Sequence, residues 1–137
     1  AHLGDRKIML TGDAGLEALN RATDFLHENG YETKHMNMIQ IAHHGSRRNV
    51  STDLLNRLIG STIIKDGTVG SAYVSASKGK SDHPRKRVLN AYTRRGYRVH
   101  STEGVAKGYR YNFPLKSGWS SAEPHPFYDQ VEEEDAA

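Results

Sequence analysis

Short apolar runs that end in glycine and polar residues alternate with stretches of helical periodicity along most of the chain. The first run, RKIMLTGDAG, predicts a strand over residues 8–10 that places an aspartate just after its carboxyl end. In the following stretch, LEALNRATDFLHENG, the apolar residues fall at helical spacing: Leu16, Leu19, Ala22, Phe25 and Leu26. This stretch predicts a first helix that stops at Gly30.

The same alternation continues to about residue 113. MNMIQIAHHGS and GSAYVSAS predict a second and a third strand. VSTDLLNRLIG predicts a second helix, with Ser51 or Thr52 as N-cap and Gly60 as its terminator. HPRKRVLNAYTRRGY predicts a third helix with Pro84 in its first turn, and YRVHST and GYRYNFP predict two further strands. The order β-α-β-α-β-α-β-β indicates an α/β domain with helices packed on a sheet.

We expect this domain to end near Pro114. The 137 residues fit one domain, and residues 1–114 carry all of the predicted elements. Residues 115–137 are polar and acidic, and we expect them to form a disordered tail. No apolar run in the sequence approaches the length of a membrane span.

Charge is distributed unevenly along the chain. Six of the 16 acidic residues and none of the 19 Lys and Arg residues follow residue 118, so residues 1–118 hold 19 basic and 10 acidic side chains. A basic body favours a polyanionic partner such as nucleic acid, although a solvated surface with a disordered tail would give the same pattern. The absence of cysteine excludes disulfides, thiolate metal sites and cysteine nucleophiles.

Candidate metal ligands follow each of the first three predicted strands. Asp13 follows the first strand, His43 and His44 the second, and His83 lies in the loop after the third. Carboxyl ends of parallel strands meet at one edge of a sheet, and carboxylate and imidazole suit Zn²⁺ or Mn²⁺. Each residue also has a structural alternative: Asp13 as a turn residue, the two histidines as partly buried imidazoles, and His83 as a helix-start residue.

Basic side chains flank these candidate ligands. Those that we predict to contact a phosphate-bearing substrate are Arg47, Arg48, Lys78, Lys80 and Arg85. Three arginines further along the chain are expected to face solvent: Arg94, Arg95 and Arg98. Three tyrosines are candidates to stack on single-stranded bases, although sheet packing is the simpler role: Tyr97, Tyr109 and Tyr111. The pattern favours nucleic acid or another phosphodiester as the substrate.

Four motifs together resemble the metallo-β-lactamase superfamily. LTGDAG, IAHHGS, VSASKGKSDHP and GYRVHSTEGVAKGY occur in the order typical of its DNA-uptake competence-protein branch. The resemblance covers residues 6–113. It implies a metal-dependent hydrolase with two divalent ions, Zn²⁺ or Mn²⁺, whose bridging water becomes the nucleophile.

The resemblance also implies roles for individual residues. Asp13 matches the aspartate that bridges the two metal ions, and His43 matches a metal ligand, with His44 beside it as an alternate ligand. His83 matches a histidine near substrate or metal, so the implied catalytic residues are Asp13, His43 and His83. Ser46 matches a position that shapes the substrate site.

One motif of this superfamily is missing. The H-x-H-x-D-H motif of its N-terminal half does not occur in the sequence. We therefore expect the chain to be the C-terminal half of an αββα sandwich, with the first half removed, split off onto another chain, or never present. A binuclear site needs about three protein ligands per ion, so this chain alone is expected to hold metal weakly or not at all. The alternatives are a non-catalytic nucleic-acid-binding module and an assembly module with a degenerate metal site.

Overall fold

Strands and helices alternate in the computed structural model, which describes residues 2–61, 68–79 and 82–133. The strands of the described part are β1 (His2–Leu3), β2 (Arg6–Met9), β3 (Met38–Gln40), β4 (Gly70–Val74) and β5 (Tyr97–Ser101). Its α-helices are α1 (Leu16–Glu28), α2 (Thr52–Ile59) and α3 (Lys86–Thr93). No helix in these ranges has the length and apolar character needed to cross a membrane.

The strands form one sheet in the order β1-β2-β3-β4-β5. Strand β1 pairs with β2 in the antiparallel sense, whereas β2, β3, β4 and β5 pair in parallel. Parallel neighbours joined by right-handed crossovers place successive helices on the same face of a sheet. The four parallel strands and three helices confirm the predicted α/β class.

The hydrophobic core lies between the helices and one face of the sheet. The strand register places Ile39, Ala72 and Val99 in one row, and all three are fully buried. Helices α2 and α3 cover this row with Leu54, Leu55, Leu58, Val88 and Leu89. Burial of each large aliphatic side chain contributes about 1.5–3 kcal/mol, so this core fixes the positions of the strand ends.

Helix α2 begins and ends where its sequence signals predict. The Ser51 hydroxyl accepts a hydrogen bond from the Leu54 backbone N–H at 3.1 Å, and Gly60 follows the helix with a φ of 101°. Helix α1 fits its predicted apolar face less well. It buries Leu19, but Phe25 is 63% exposed.

Two local predictions around the end of the sheet are wrong. GYRYNFP is irregular, because Arg6 stacks on the Tyr111 ring at 3.4 Å and donates a hydrogen bond to the Tyr109 hydroxyl at 3.1 Å. The outer edge of β5 instead meets the tail, where the His125 backbone N–H donates to the Val99 carbonyl at 2.7 Å. Pro84 precedes the N-cap of α3 and so lies outside its first turn.

The prediction that Arg95 faces solvent is also wrong, because its side chain is only 4% exposed. Its guanidinium donates to the carbonyls of Gly60 at 3.0 Å and Ala91 at 2.7 Å, and to Asn56 Oδ1 at 2.7 Å. These three acceptors satisfy the buried charge, so Arg95 ties the end of α2 to α3. Arg94 and Arg98 are exposed, as predicted.

Candidate functional site

Asp13 lies in a loop that is tied to the end of the neighbouring strand β3. The Gln40 side chain accepts hydrogen bonds from the backbone N–H groups of Thr11 at 3.1 Å and Gly12 at 2.9 Å. The His43 backbone N–H donates to the Gly12 carbonyl at 3.0 Å. These contacts place the aspartate loop beside the histidine turn (His43–Gly45), as expected for neighbouring parallel strands.

His44 connects the ends of three adjacent strands. Its Nδ1 lies 2.9 Å from the Ser75 carbonyl, and because a carbonyl can only accept, Nδ1 carries the proton of this bond. In the neutral ring Nε2 is then a free lone pair, and it lies 3.8 Å from Asp13 Oδ1. Metal-binding histidines commonly donate their second nitrogen to a backbone carbonyl in this way. Two ligand atoms about 2.1 Å from one Zn²⁺ lie about 3.4 Å apart, so a small closure would let one ion touch both.

The pair is open to solvent, and its backbone is unusual. The side chains of His44 and Asp13 are 53% and 72% exposed. His43 and His44 both have positive φ, at 47° and 55°, and their ring centroids lie 5.9 Å apart. Such conformations cost about 1–3 kcal/mol per residue and concentrate at functional sites. The geometry favours His44, ahead of His43, as the partner of Asp13.

His83 lies in a loop that packs against the histidine turn. The Arg85 backbone N–H donates to the Gly45 carbonyl at 3.2 Å, and a Cβ added at Gly45 would lie 2.7 Å from Pro84 Cβ. The His83 ring, however, pairs with the neighbouring Asp82, with Nδ1 3.4 Å from Oδ2. The backbone of the loop therefore reaches the candidate site, whereas the His83 imidazole contacts its own loop.

The described residues do not complete a metal site. Within residues 2–61, 68–79 and 82–133, no group of three or more His, Cys, Asp or Glu side chains is arranged to hold a metal ion. Asp13 and His44 supply two ligand atoms, fewer than the three or four that zinc sites usually take from a protein. The pair therefore fits part of a metal site and not the whole.

Ser46 has a local structural role. It is 8% exposed, and its hydroxyl accepts a hydrogen bond from the Arg48 backbone N–H at 3.4 Å. This contact caps the short 3₁₀ turn Arg47–Asn49, which directs the two arginines away from the core. Ser46 thus positions candidate phosphate contacts by accepting a hydrogen bond from the backbone of Arg48.

The basic candidates differ in their surroundings. Arg47, Arg48 and Lys78 are exposed, Arg85 is half-buried, and Lys80 lies outside the described residues. A small cleft brings together Arg47, Arg85 and Arg87 with two acids of the tail, Glu132 and Glu133. We call these five residues the arginine cleft. Sequence reasoning missed it because residues 115–137 were expected to be disordered; that prediction itself stays open.

A second feature lies on the helix-free face of the sheet. A groove of about 1280 Å³ is bounded by strand residues that include Ile8, Tyr73 and His100 and by the irregular segment 105–122. The cations in its lining include Arg6, Arg98, Lys107, Arg110 and Lys116. Exposed aromatic rings stand among them: Tyr111, Phe113 and Trp119. The alternation of Lys or Arg with aromatic residues over residues 107–119 is the sequence signal for this sheet groove.

The comparisons with known proteins find no relative. No protein-family model matches the chain, and neither does any curated protein or solved structure. Function is therefore inferred from the geometry of this chain, and the metallo-β-lactamase resemblance stays a prediction.

Proposed function

We propose that the chain contributes one half of a divalent-metal hydrolase site that acts on phosphodiesters. The observation that supports this proposal is the orientation of the His44 ring. Its Nδ1 donates to the Ser75 carbonyl while its Nε2 faces Asp13. These residues follow three neighbouring parallel strands, at the edge where open α/β sheets hold their ligands. The proposed fold is the C-terminal half of a metallo-β-lactamase αββα sandwich, and the proposed ions are Zn²⁺ or Mn²⁺.

The remaining ligands belong to an H-x-H-x-D-H half that this sequence does not contain. That half is supplied by a partner chain or by another part of the protein. Until it is in place, Asp13 and His44 hold an ion weakly, because its other coordination positions stay with water. His43 lies beside the pair as a second imidazole. His83 stays a candidate substrate contact, although its ring pairs with Asp82 in this structure.

The proposed substrate class follows from the charge around this edge of the sheet. Arg47 and Arg48 closely follow the histidine turn in sequence and are exposed, and Arg85 joins that turn through its backbone. Lys78 is exposed in the loop after β4. One guanidinium group can donate two parallel hydrogen bonds to two oxygens of a phosphate. This setting therefore favours a phosphodiester over an uncharged amide or β-lactam.

Metal titration of the purified chain tests the proposal. We expect weak, saturable binding of Zn²⁺ and Mn²⁺ that is lost in Asp13→Ala and in His44→Ala. His35→Ala is the matched control, because His35 is an exposed histidine outside the candidate site. Equal binding by all four proteins would show that the ions bind elsewhere and would refute the half-site.

The sheet groove favours a second candidate function, a nucleic-acid-binding module without catalysis. Cations interleaved with exposed aromatic rings are the usual arrangement for binding single strands, with phosphates on the cations and bases on the rings. This function uses the helix-free face of the sheet, which the half-enzyme proposal leaves for the missing layer. The two functions therefore predict different uses of one surface.

A binding assay with a labelled single-stranded oligonucleotide separates the two. A binding module predicts several-fold weaker binding by Arg98→Ala/Lys107→Ala, with metal chelators having no effect. Arg21→Ala is the control, because Arg21 is an exposed cation outside the groove that pairs with Glu17 on α1 at 2.8 Å. If the groove substitutions leave the affinity unchanged and added metal alters it, the result would favour the half-enzyme.

A further inference from the structure

Three arginines from two separate segments converge beside the histidine turn. Arg47 follows that turn, and Arg85 and Arg87 lie at the start of α3. The hydrogen bond from the Arg85 backbone N–H to the Gly45 carbonyl, at 3.2 Å, holds the two segments together. Like charges that share a cleft repel one another unless an anion lies between them. In this structure the carboxylates of Glu132 and Glu133 line the same cleft.

Glu132 binds in the manner expected of a phosphate group. Its Oε1 accepts from the Lys86 backbone N–H at 2.6 Å, and its Oε2 accepts from the Arg87 backbone N–H at 3.3 Å. Arg87 Nε also donates to the Glu132 carbonyl at 2.8 Å. Burial alone would raise the pKa of Glu132, but these backbone donors and the charge of Arg85 lower it below the usual value. The side chain is therefore an anion at neutral pH.

Specific contacts hold the tail over α3. The Asn90 side chain donates to the Tyr128 carbonyl at 2.9 Å and accepts from the Tyr128 backbone N–H at 2.8 Å. His125 joins the edge of β5 through its backbone at 2.7 Å. Because these contacts tether the tail, its carboxylates face the arginines at a high effective concentration.

We propose that the arginine cleft is a phosphate-binding site and that Glu132 and Glu133 occupy it as built-in competitors of the substrate. The inference rests on the proposed function, which assigns Arg47 and Arg85 to phosphate contacts. A polyanion has to displace the two carboxylates before it reaches the arginines. A tethered competitor weakens binding in proportion to its effective concentration at the site.

A charge-removal experiment tests this competition. Glu132→Gln/Glu133→Gln keeps the shape of both side chains and removes their charge. Glu123→Gln/Asp129→Asn is the matched control, because it removes two charges from the same tail outside the cleft. The probe is a fluorescently labelled single-stranded oligonucleotide at low salt. We expect the cleft variant to bind it several-fold more tightly than the control variant, because its tethered side chains no longer compete as anions. Equal affinities, or no binding by either variant, would overturn the inference.

Arginine variants distinguish the failure of this inference from the failure of the proposed function. In an Arg47→Ala/Arg85→Ala background, we expect the gain from Glu132→Gln/Glu133→Gln to disappear. If the arginine variant binds as tightly as the native chain in every form, the phosphate contacts of the proposed function fail and the inference fails with them. If the arginines matter but the tail substitutions give no gain, only the competition is refuted.

Discussion

The histidine turn holds three consecutive residues in the left-handed region of backbone conformation. His43, His44 and Gly45 have φ values of 47°, 55° and 76°. For Gly45 this conformation has little free-energy cost, whereas for each histidine it costs about 1–3 kcal/mol of folding free energy. The turn directs the two imidazoles to the surface while Gly45 packs against Pro84. The candidate site therefore depends on a glycine as well as on its ligands.

We expect Gly45→Ala to destabilise the chain by about 2–4 kcal/mol. An alanine would be strained at this φ, and its Cβ would lie 2.7 Å from Pro84 Cβ. Gly12→Ala is the control, because Gly12 also has a positive φ, of 55°, but no atom lies within 4 Å of its added Cβ. It should lose only about 1–2 kcal/mol. Urea unfolding measures both, and equal losses would contradict the close packing at Gly45.

Two desolvated imidazoles make stability depend on pH: His100 is buried and His125 is half-buried. Burial lowers the pKa of His100 and His125; near His125, Glu103 opposes this effect and Lys107 adds to it. His125 also meets the Ser101 hydroxyl at 2.7 Å and the Tyr128 hydroxyl at 2.6 Å. The folded chain thus takes up these protons less readily than the unfolded chain. Their stabilisation is complete above the ordinary pKa of 6.5 and declines as the pH falls below it.

We therefore expect the urea concentration at the unfolding midpoint to decrease as the pH is lowered from about 7.5 to about 5.5. His125→Gln should show a smaller fall, because it removes one of the two resistant imidazoles and keeps a polar side chain. His35→Ala should show the full fall, because His35 is exposed. A midpoint that rises, or that falls equally in all three proteins, would contradict the role of His125.

The sequence predicts which residues belong to the candidate site, but it does not predict which of them contact each other. Asp13 and the two histidines follow strands, and strand ends can be found from apolar runs. The positive φ angles of the two histidines decide which imidazole faces Asp13. No residue pattern in this chain predicts a positive φ at a histidine. The pairing of His83 with Asp82 depends likewise on the fold of its loop.

At the scale of elements, α2 and α3 are joined by a buried cation. Arg95 donates to Gly60, Ala91 and Asn56, and its removal would leave these acceptors without their donor. We expect Arg95→Ala to destabilise the chain by about 2–4 kcal/mol in urea unfolding. Arg21→Ala, on the exposed face of α1, should change stability by less than about 0.5 kcal/mol. Similar effects for both would show that Arg95 is not buried in solution.

Elements with their own start and stop signals were the predictable ones. Helix α2 carries a Ser51 cap and a Gly60 terminator, and both contacts form. GYRYNFP has the alternation typical of a strand, but its tyrosines pack against Arg6, which lies more than a hundred positions away in sequence. Arg94 and Arg95 are identical neighbours, and only their packing makes one exposed and the other buried. Local patterns cannot supply such long-range contacts.

At the scale of the whole molecule, the basic body and the acidic tail meet at the arginine cleft. If phosphates replace the tail carboxylates there, oligonucleotide binding must weaken as salt rises. Each lost phosphate contact lowers the slope of log K against log salt by about 0.7 for single strands. In the Glu132→Gln/Glu133→Gln background, we expect Arg47→Ala/Arg85→Ala to reduce the slope by about 1.4. An unchanged slope would show that neither arginine contacts phosphate.

Asp13 and His44 are proposed to form one half of a metal site. The most direct test of this proposal is NMR of the isotope-labelled chain during titration with Mn²⁺, which broadens signals close to the bound ion. We expect the first broadening at the amides of residues 12–13, 43–45 and 75, and its loss in His44→Ala. Broadening that begins at the acidic tail, or that is equal around His35 and His44, would contradict the half-site.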